Sequence, residues 1–261
     1  MKKIIASDYD GTLNRQSTVS QADKDSISAW RKKGNLFGVV SGRSVEGILH
    51  EMNYHSVEYD YLIANNGAAI YEKINDKITD VGLADIKCLG SWAADSSRLT
   101  ELAEYIIANG GLHVAVSSFQ GRRCAIYDGQ DTSRDGKWVT ADKLSELESF
   151  TQVDTHFESE EQAKEFASKV NAQFHKYVNG FQNGANVDIV PFGVNKTSGI
   201  TNFIKLKEIS AEQVVPVGDN YNDLNMIDAF DGYVVDTSPK EILDKYKKQC
   251  DGIHDLVFKE I

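Results

Sequence analysis

Short apolar runs alternate with helix-length amphipathic stripes over the first 80 residues, and the same rhythm returns after residue 190. Ile4-Ile5-Ala6 reads as a buried strand. Ser20-x-x-Asp23 has the form of a capping box ahead of a helix that ends near Lys33-Gly34. Leu36–Val40 is a second strand, followed by a helical stripe of Val45, Ile48, Leu49 and Met52; Tyr61–Ala64 is a third strand. Strands this apolar, separated by helices, predict a parallel sheet covered on both faces. Beyond Lys196 come a helix bearing Ile200, Phe203 and Ile204, a strand Val214–Val217, a helix marked by Leu224 and Ile227, and a last strand Tyr233–Val235. Pro216 counts against its strand, because proline removes a ladder donor.

Between residues 84 and 190 the pattern differs. Two helical stripes, Leu99/Leu102/Ala103/Ile106 and Ala163/Phe166/Ala167/Val170, are each followed by two strand candidates. These are 112–117 and 123–127, joined by a turn containing Gly121, and then 176–181 and 185–190 around Asn183-Gly184. A helix near 140–148 and a strand near 151–157 are expected between the two sets. This order predicts an antiparallel sheet with helices on one face. The fold class is therefore α/β: a Rossmann-like core formed by residues 1–83 and 191–261, interrupted by an α+β domain over 84–190.

Composition adds limits rather than detail. The 261 residues are 41% hydrophobic and 26% charged, as in ordinary globular proteins. A net charge of −11 leaves no basic surplus for nucleic acid. A small anionic ligand is still allowed, since long-range repulsion is screened over about 8 Å at physiological salt. Cys88, Cys124 and Cys250 are scattered and form no C-x-x-C pair, and no run approaches the ~20 apolar residues that span a bilayer. The expectation is a cytoplasmic protein with reduced thiols and no membrane partner. The six histidines show no H-E-x-x-H or H-x-H spacing, so a zinc site is not expected.

Four polar clusters follow apolar strands or open helices: Asp8-Tyr9-Asp10-Gly11-Thr12, Ser41-Gly42, Lys196, and Asp219 with Asn222-Asp223. In a parallel sheet the carboxyl ends of the strands share one edge, where α/β proteins place ligands. Asp8 and Asp10, two apart, would face one side of their strand. Gly11 permits a sharp exit and the Thr12 hydroxyl can tie the loop to itself. Three carboxylates beside one lysine form an oxygen-only site that favours Mg²⁺. Ser41 and the Gly42 amide, ahead of a helix, suit a phosphate oxygen, and Lys196 supplies fixed charge for another. Asp8 is the candidate nucleophile, because attack on phosphorus needs a held anionic oxygen. Asp10 suits acid–base work on the leaving alkoxide and then on water. Taken singly, each cluster has a plainer reading as a turn, a cap or a solvated side chain; their combination points to phosphoryl chemistry.

Asp8–Leu13, Val40-Ser41-Gly42-Arg43, Asn195-Lys196 and Gly218–Asp223 resemble the four ordered motifs of the haloacid dehalogenase (HAD) superfamily. Asn65-Asn66-Gly67-Ala68 and the insert resemble its Cof-type (subclass IIB) branch. The resemblance implies a Mg²⁺-dependent phosphatase acting through an aspartyl phosphate on small phosphorylated metabolites, sugar phosphates foremost. It implies that Asp8 is nucleophile and metal ligand, and that Asp10 is acid–base with its backbone carbonyl on the metal. Asp219 becomes the third protein ligand, and Asp223 lies in the outer shell or near Lys196. Tyr9 (through its backbone), Ser41, Gly42, Lys196 and Asn222 would hold phosphate, with Thr12 and Asn65 in support. One departure is that Thr197-Ser198-Gly199 follows Lys196 where the branch commonly has glycine at once. The insert would be a cap that sets substrate choice, with Arg122-Arg123, His113 and His156 its polar candidates, although a solvated surface position is the favoured reading for each. A phosphomutase of the same superfamily is the alternative. An aspartate-phosphorylated receiver domain ranks lower, because it needs no hundred-residue insert. The oligomeric state is not legible.

Overall fold

A computed structural model of the chain describes residues 2–118, 121–126, 138–140, 144 and 146–260. In chain order the elements are β1 (Ile4–Ser7), α1 (Gln21–Lys32), β2 (Leu36–Val40), α2 (Val45–His55), β3 (Tyr61–Ala64), β4 (Ala69–Lys73) and β5 (Ile86–Ser91). Then come β6 (Ala94–Asp95), α3 (Leu99–Ala108), β7 (Val114–Ser118), β8 (Gly121–Ile126), β9 (Trp138–Thr140), β10 (Ser149–Phe150) and β11 (Gln152–His156). They continue with α4 (Glu160–Gln173), β12 (Val178–Asn183), β13 (Asn186–Pro191), α5 (Lys196–Leu206), β14 (Val214–Gly218) and α6 (Leu224–Phe230). The chain closes with β15 (Tyr233–Val235), α7 (Lys240–Lys245), β16 (Gln249–Cys250) and α8 (Ile253–Glu260). Two compact units result: Met1–Gly90 with Lys196–Ile261, and Ser91–Asn195.

The first unit is built on an eight-stranded sheet in the order β16-β15-β14-β1-β2-β3-β4-β5. β1 pairs in parallel with β2 on one side and with β14 on the other. The chain leaves β1 in one direction for β2 and β3 and later fills the opposite side with β14, β15 and β16. This reversal of strand order is the place where open α/β sheets bind ligands. β1 is wholly buried, as expected for a strand covered on both faces. Pro216 is tolerated within β14. The bond from Asp8 N to the Val217 carbonyl turns Val217 toward β1, so Pro216 faces the other side. There β15 begins only opposite Val217, and no ladder donor is missed. Trp30 anchors α1 by donating from Nε1 to the Leu36 carbonyl at 2.8 Å.

The second unit has a six-stranded sheet in the order β12-β13-β11-β7-β8-β9, antiparallel except for the β8–β9 pair. The α3 and α4 stripes pack on one face against Val114, Val116, Val153, Val187 and Ile189, with Phe157 and Phe174 between. β6 and β10 form a separate two-stranded ribbon.

Several expectations shift. Gly121 opens β8, paired with Ser118, and residues 119–120 between them lie outside the described residues. Thr140 ends a strand; of the helix expected near 140–148, residues 141–143 and 145 lie outside the described residues, as does Tyr127. Tyr233–Val235 is not the last strand, since β16 pairs beyond it. Asp23 does complete a side-chain exchange with Ser20, accepting from its hydroxyl at 2.7 Å, but its other oxygen reaches across 231 residues to α8. Cys88 and Cys250 are unbridged. Among the described residues no helix is long and apolar enough to cross a membrane.

Candidate active site

β1 stops at Ser7, so Asp8 and Asp10 stand in the loop beyond it and not on one face of a strand. Each has its own partner. Asp8 is buried and accepts from Lys196 Nζ on Oδ1 at 2.5 Å. Asp10 is half exposed, and both its oxygens lie on Arg43: Nε to Oδ2 at 2.7 Å and Nη2 to Oδ1 at 2.8 Å. Strand alternation does not extend past the end of the strand, so the directions of the two carboxylates are set by their partners, Lys196 for Asp8 and Arg43 for Asp10.

The place opposite Asp8 is taken by residues from the end of β14. Asp8, Asp219 and Asp223 each offer a carboxylate oxygen, and these atoms lie within 4.8 Å of one another. Asp223 is fully buried in the short turn Tyr221–Asp223. Its Oδ1 accepts from Lys196 at 2.6 Å and its Oδ2 from the backbone N–H groups of Asp219 and Asn220, both at 3.1 Å. It thus joins the lysine to the loop that carries Asp219. Thr12 does not tie its own loop; its hydroxyl donates to Asp219 Oδ1 at 2.8 Å and so ties the first motif to the last. Gly11, at φ +89°, has a second reason to be glycine: a Cβ there would lie 2.3 Å from Asp219 Oδ2.

Three carboxylates facing one ammonium leave an excess of two negative charges if all are ionised. Burial, then the nearby Asp223 charge, pushes the Asp8 carboxyl well above its ordinary range despite Lys196. Asp219 is raised for the same two reasons, against the opposing bond from Thr12. Burial alone would lower Lys196, but Asp223 and Asp8 more than reverse this and keep it charged. A buried, oxygen-only, over-negative cluster suits a hard divalent cation. Mg²⁺ fits these residues.

The end of β2 supplies the next piece. Ser41 is buried, its N–H donates to the Ile63 carbonyl, and its hydroxyl accepts from the Arg43 N–H at 3.2 Å. Gly42 lies between them, ahead of Ser44, which caps α2 through the Gly47 N–H. A turn of three residues with positive φ, Asn65, Asn66 and Gly67, braces this loop from β3. Asn65 N donates to the Arg43 carbonyl and Asn66 N to that of Ser41, at 3.0 and 2.9 Å. Backbone held in this region costs free energy and collects at functional sites. α5 leans on the same turn: a Cβ on Gly199 would lie 2.6 Å from Gly67 Cα. The glycine expected directly after Lys196 is thus replaced by one at the third position, where the backbones meet. Phe203 of α5 stacks on Tyr61 of β3 at 4.0 Å between ring centroids. Both contacts index the helix whose first residue is Lys196.

Tyr9 is buried; its carbonyl accepts from Asn14 N and its hydroxyl donates to Glu51 at 2.9 Å. Asn222 sits half-buried in the turn before Asp223. In the second unit His113 approaches Asp154 at 3.9 Å and His156 Nδ1 lies 3.0 Å from Asn186. Arg122 and Arg123 fall in β8, whose side chains lie outside the described residues. The side-chain roles of Arg43 and Glu51 were not anticipated. Arg43 stands inside a quoted motif, and Glu51 carries no signal beyond a polar position on α2.

Residues 5–255 match the model of the haloacid dehalogenase-like hydrolases, and the chain belongs to that family. Its fold is that of several solved structures. A haloacid dehalogenase-like hydrolase of B. subtilis superposes with a TM-score of 0.81 at 14% identity, covering 99% of this chain and 100% of the other. A Thermotoga maritima protein gives 0.74 at 20% identity, over 99% and 97%. A sugar phosphatase of HAD subclass IIB gives 0.76 at 18%, over 99% of each. The family and fold expected from the four motifs are those the comparisons show.

Proposed function

We propose that this hydrolase is a Mg²⁺-dependent phosphatase of the Cof-type branch that cleaves small phosphate monoesters, sugar phosphates foremost. The observation that carries the reading is the buried Lys196 ammonium between Asp8 and Asp223, with Asp219 completing the cluster at the strand-order reversal. The likeness in fold to a sugar phosphatase supports the substrate class.

Asp8 and Asp219, with the backbone carbonyl of Asp10, would hold the cation, and Asp223 would stand behind them. Bound there, Mg²⁺ supplies positive charge against the phosphate and against the ionised Asp8. The chain's own groups perform the rest. Lys196 grips Oδ1 of Asp8, which fixes the direction in which the carboxylate meets phosphorus. Ser41, Gly42, the Tyr9 backbone, Asn222 and Lys196 seat the non-bridging oxygens, a donor set preorganised by the Asn65–Gly67 turn. Asp8 forms a bond to phosphorus while the ester P–O bond breaks, and Asp10 delivers a proton to the departing alkoxide. Water then attacks phosphorus, Asp10 takes its proton, and Asp8 is released as the carboxylate. Monoester hydrolysis is among the slowest uncatalysed reactions, so more than about 20 kcal/mol of barrier lowering can be required. A positioned acid–base group contributes about 10²–10⁴-fold of this, leaving the larger share to electrostatics and placement. The second unit takes the cap role that excludes water and selects substrate.

A panel of phosphate esters assayed with Mg²⁺, with Asp8→Asn as the blank, tests the reading. Release of inorganic phosphate from sugar phosphates by the wild type alone is expected, silenced reversibly by chelator. Full turnover in the Asp8→Asn protein, or in strict chelation, would sink it, and accumulation of an isomer in place of free phosphate would mark a mutase.

A further inference from the structure

We infer that the Asn171 carboxamide closes the free edge of the second unit's sheet and keeps β12 from pairing with the same strand of a second copy of this chain. β12 ends the six-stranded sheet on one side and pairs inward with β13. Asn171, in the last turn of α4, meets Gly180 in the middle of that strand twice. Its Nδ2 donates to the Gly180 carbonyl at 2.9 Å, and its Oδ1 accepts from the Gly180 N–H at 2.7 Å. These are the two bonds that a residue opposite Gly180 in a neighbouring antiparallel strand would make. Because the pattern alternates, Val178 and Gln182 turn their backbone groups to the same side as Gly180. The Val178 N–H is taken there by the carbonyl of Phe174, the residue that follows α4. The helix thus supplies partners along the edge where a further strand would dock.

The strand has no defence of its own. Val178–Asn183 contains neither a charged residue nor a proline, the usual means of blunting a free edge. The other sheet edges are shorter or charged: β9 has three residues and β16 two, and β5 carries Lys87. Gly180 lets α4 come close enough to serve, since a Cβ there would lie 2.5 Å from Val170 Cγ1. Local propensity does not explain position 171, because asparagine is a poor helix residue and alanine the best. The bonds to Gly180 do explain it. Without the carboxamide, the Gly180 N–H and carbonyl would face outward unpaired. Two copies related by a two-fold axis would then set Gly180 opposite Gly180 and exchange both bonds, and the sheet would run from one molecule into the next.

Asn171→Ala is the test, since alanine favours the helix and the position lies outside the proposed catalytic machinery. Sedimentation velocity compares the variant with wild type over a roughly hundredfold range of concentration. The variant is expected to self-associate at least ~10-fold more tightly, given the usual size of two backbone hydrogen bonds. Amide hydrogen exchange then locates the contact. In dilute variant the Gly180 amide should exchange at least ~10-fold faster than in wild type, while that of Phe181, which faces β13, is unchanged. In concentrated variant the protection of Gly180 should return as the two edges pair. Asn171→Ser, with a side chain too short to meet both groups, carries the same comparison should the alanine variant not fold. A folded variant that keeps the wild-type mass at every concentration overturns the inference. So does association that leaves the Gly180 amide exchanging as fast as in dilute solution, because the contact then lies elsewhere on the molecule.

Discussion

Of two isosteric changes on either side of Lys196, one should lower stability and the other should not. All three contacts of Asp223 come from donors: the Lys196 ammonium on Oδ1, and the N–H groups of Asp219 and Asn220 on Oδ2. A carboxamide has one acceptor end and one donor end, so Asp223→Asn must face an NH₂ against the ammonium or against two backbone N–H groups. The site is fully buried. Stranding donors there, and weakening the pairing of a buried lysine, is expected to cost about 2–4 kcal/mol. Asp8 is different. It gives Lys196 one oxygen, and its ionised form is disfavoured by burial and by Asp223. A carboxyl raised in this way makes the folded protein lose stability as pH climbs from the unfolded pKa to the folded one. Asp8→Asn removes that penalty while Asp223 still pairs the lysine, so the variant should be between unchanged and about 2 kcal/mol more stable at pH 7. The assay is urea denaturation with chelator present, comparing midpoints at matched slopes. A midpoint for Asp223→Asn equal to wild type, or an Asp8→Asn protein as damaged as it, would refute the charge accounting.

Two further outcomes are expected. Gly11→Ala sets a Cβ into Asp219 Oδ2 in a backbone held at φ +89°; it should cost roughly 1–3 kcal/mol and lower Mg²⁺-dependent turnover more than about tenfold, read from denaturation midpoint and steady-state rate. At Asp23, burial alone would raise the carboxyl, but bonds from Ser20 and His254 overcome it and leave it below its ordinary value. Its stabilisation is present above the unfolded value near 3.9 and fades as pH falls through the lower folded one. Asp23→Asn should therefore be about 1.5–3 kcal/mol less stable than wild type at pH 6, with the gap closing below pH ~4 in pH-resolved melts.

The candidate site was largely legible because its signals are local. An apolar strand that ends in acidic residues, a serine-glycine before a capped helix, and a lysine at a helix start each occupy a few consecutive positions. The parallel part of the sheet followed from the same runs, whereas β4, antiparallel to β3, did not. What escaped depends on partners far away in sequence or on elements too short for periodicity. β16 has two residues and β6 two, too few to alternate. α8 was within reach, since Ile253, Leu256 and Val257 carry a helical i, i+3, i+4 spacing. The division between Asp8 and Asp10 was not legible, because it turns on where β1 stops and on a guanidinium 33 residues away. Likewise nothing near Asp23 announces that a helix 231 residues on will donate to it.

The interruption of the sheet has a consequence for synthesis. β1 is held between β2 and β14, so one of its two ladders must wait for residues 214–218, more than two hundred positions later. The second unit, Ser91–Asn195, is contiguous and precedes them. At about 5–20 residues per second, the ribosome spends roughly 5–20 seconds on that stretch alone. Throughout it the nascent chain carries a strand edge of Ile4-Ile5-Ala6 that invites pairing with other chains. The short length of β1 limits this exposure. Lys196, which neutralises part of the charge at its end, also arrives only after the insert is complete. Each newly made molecule must therefore protect the strand that bears its proposed nucleophile before it can assemble the site around it.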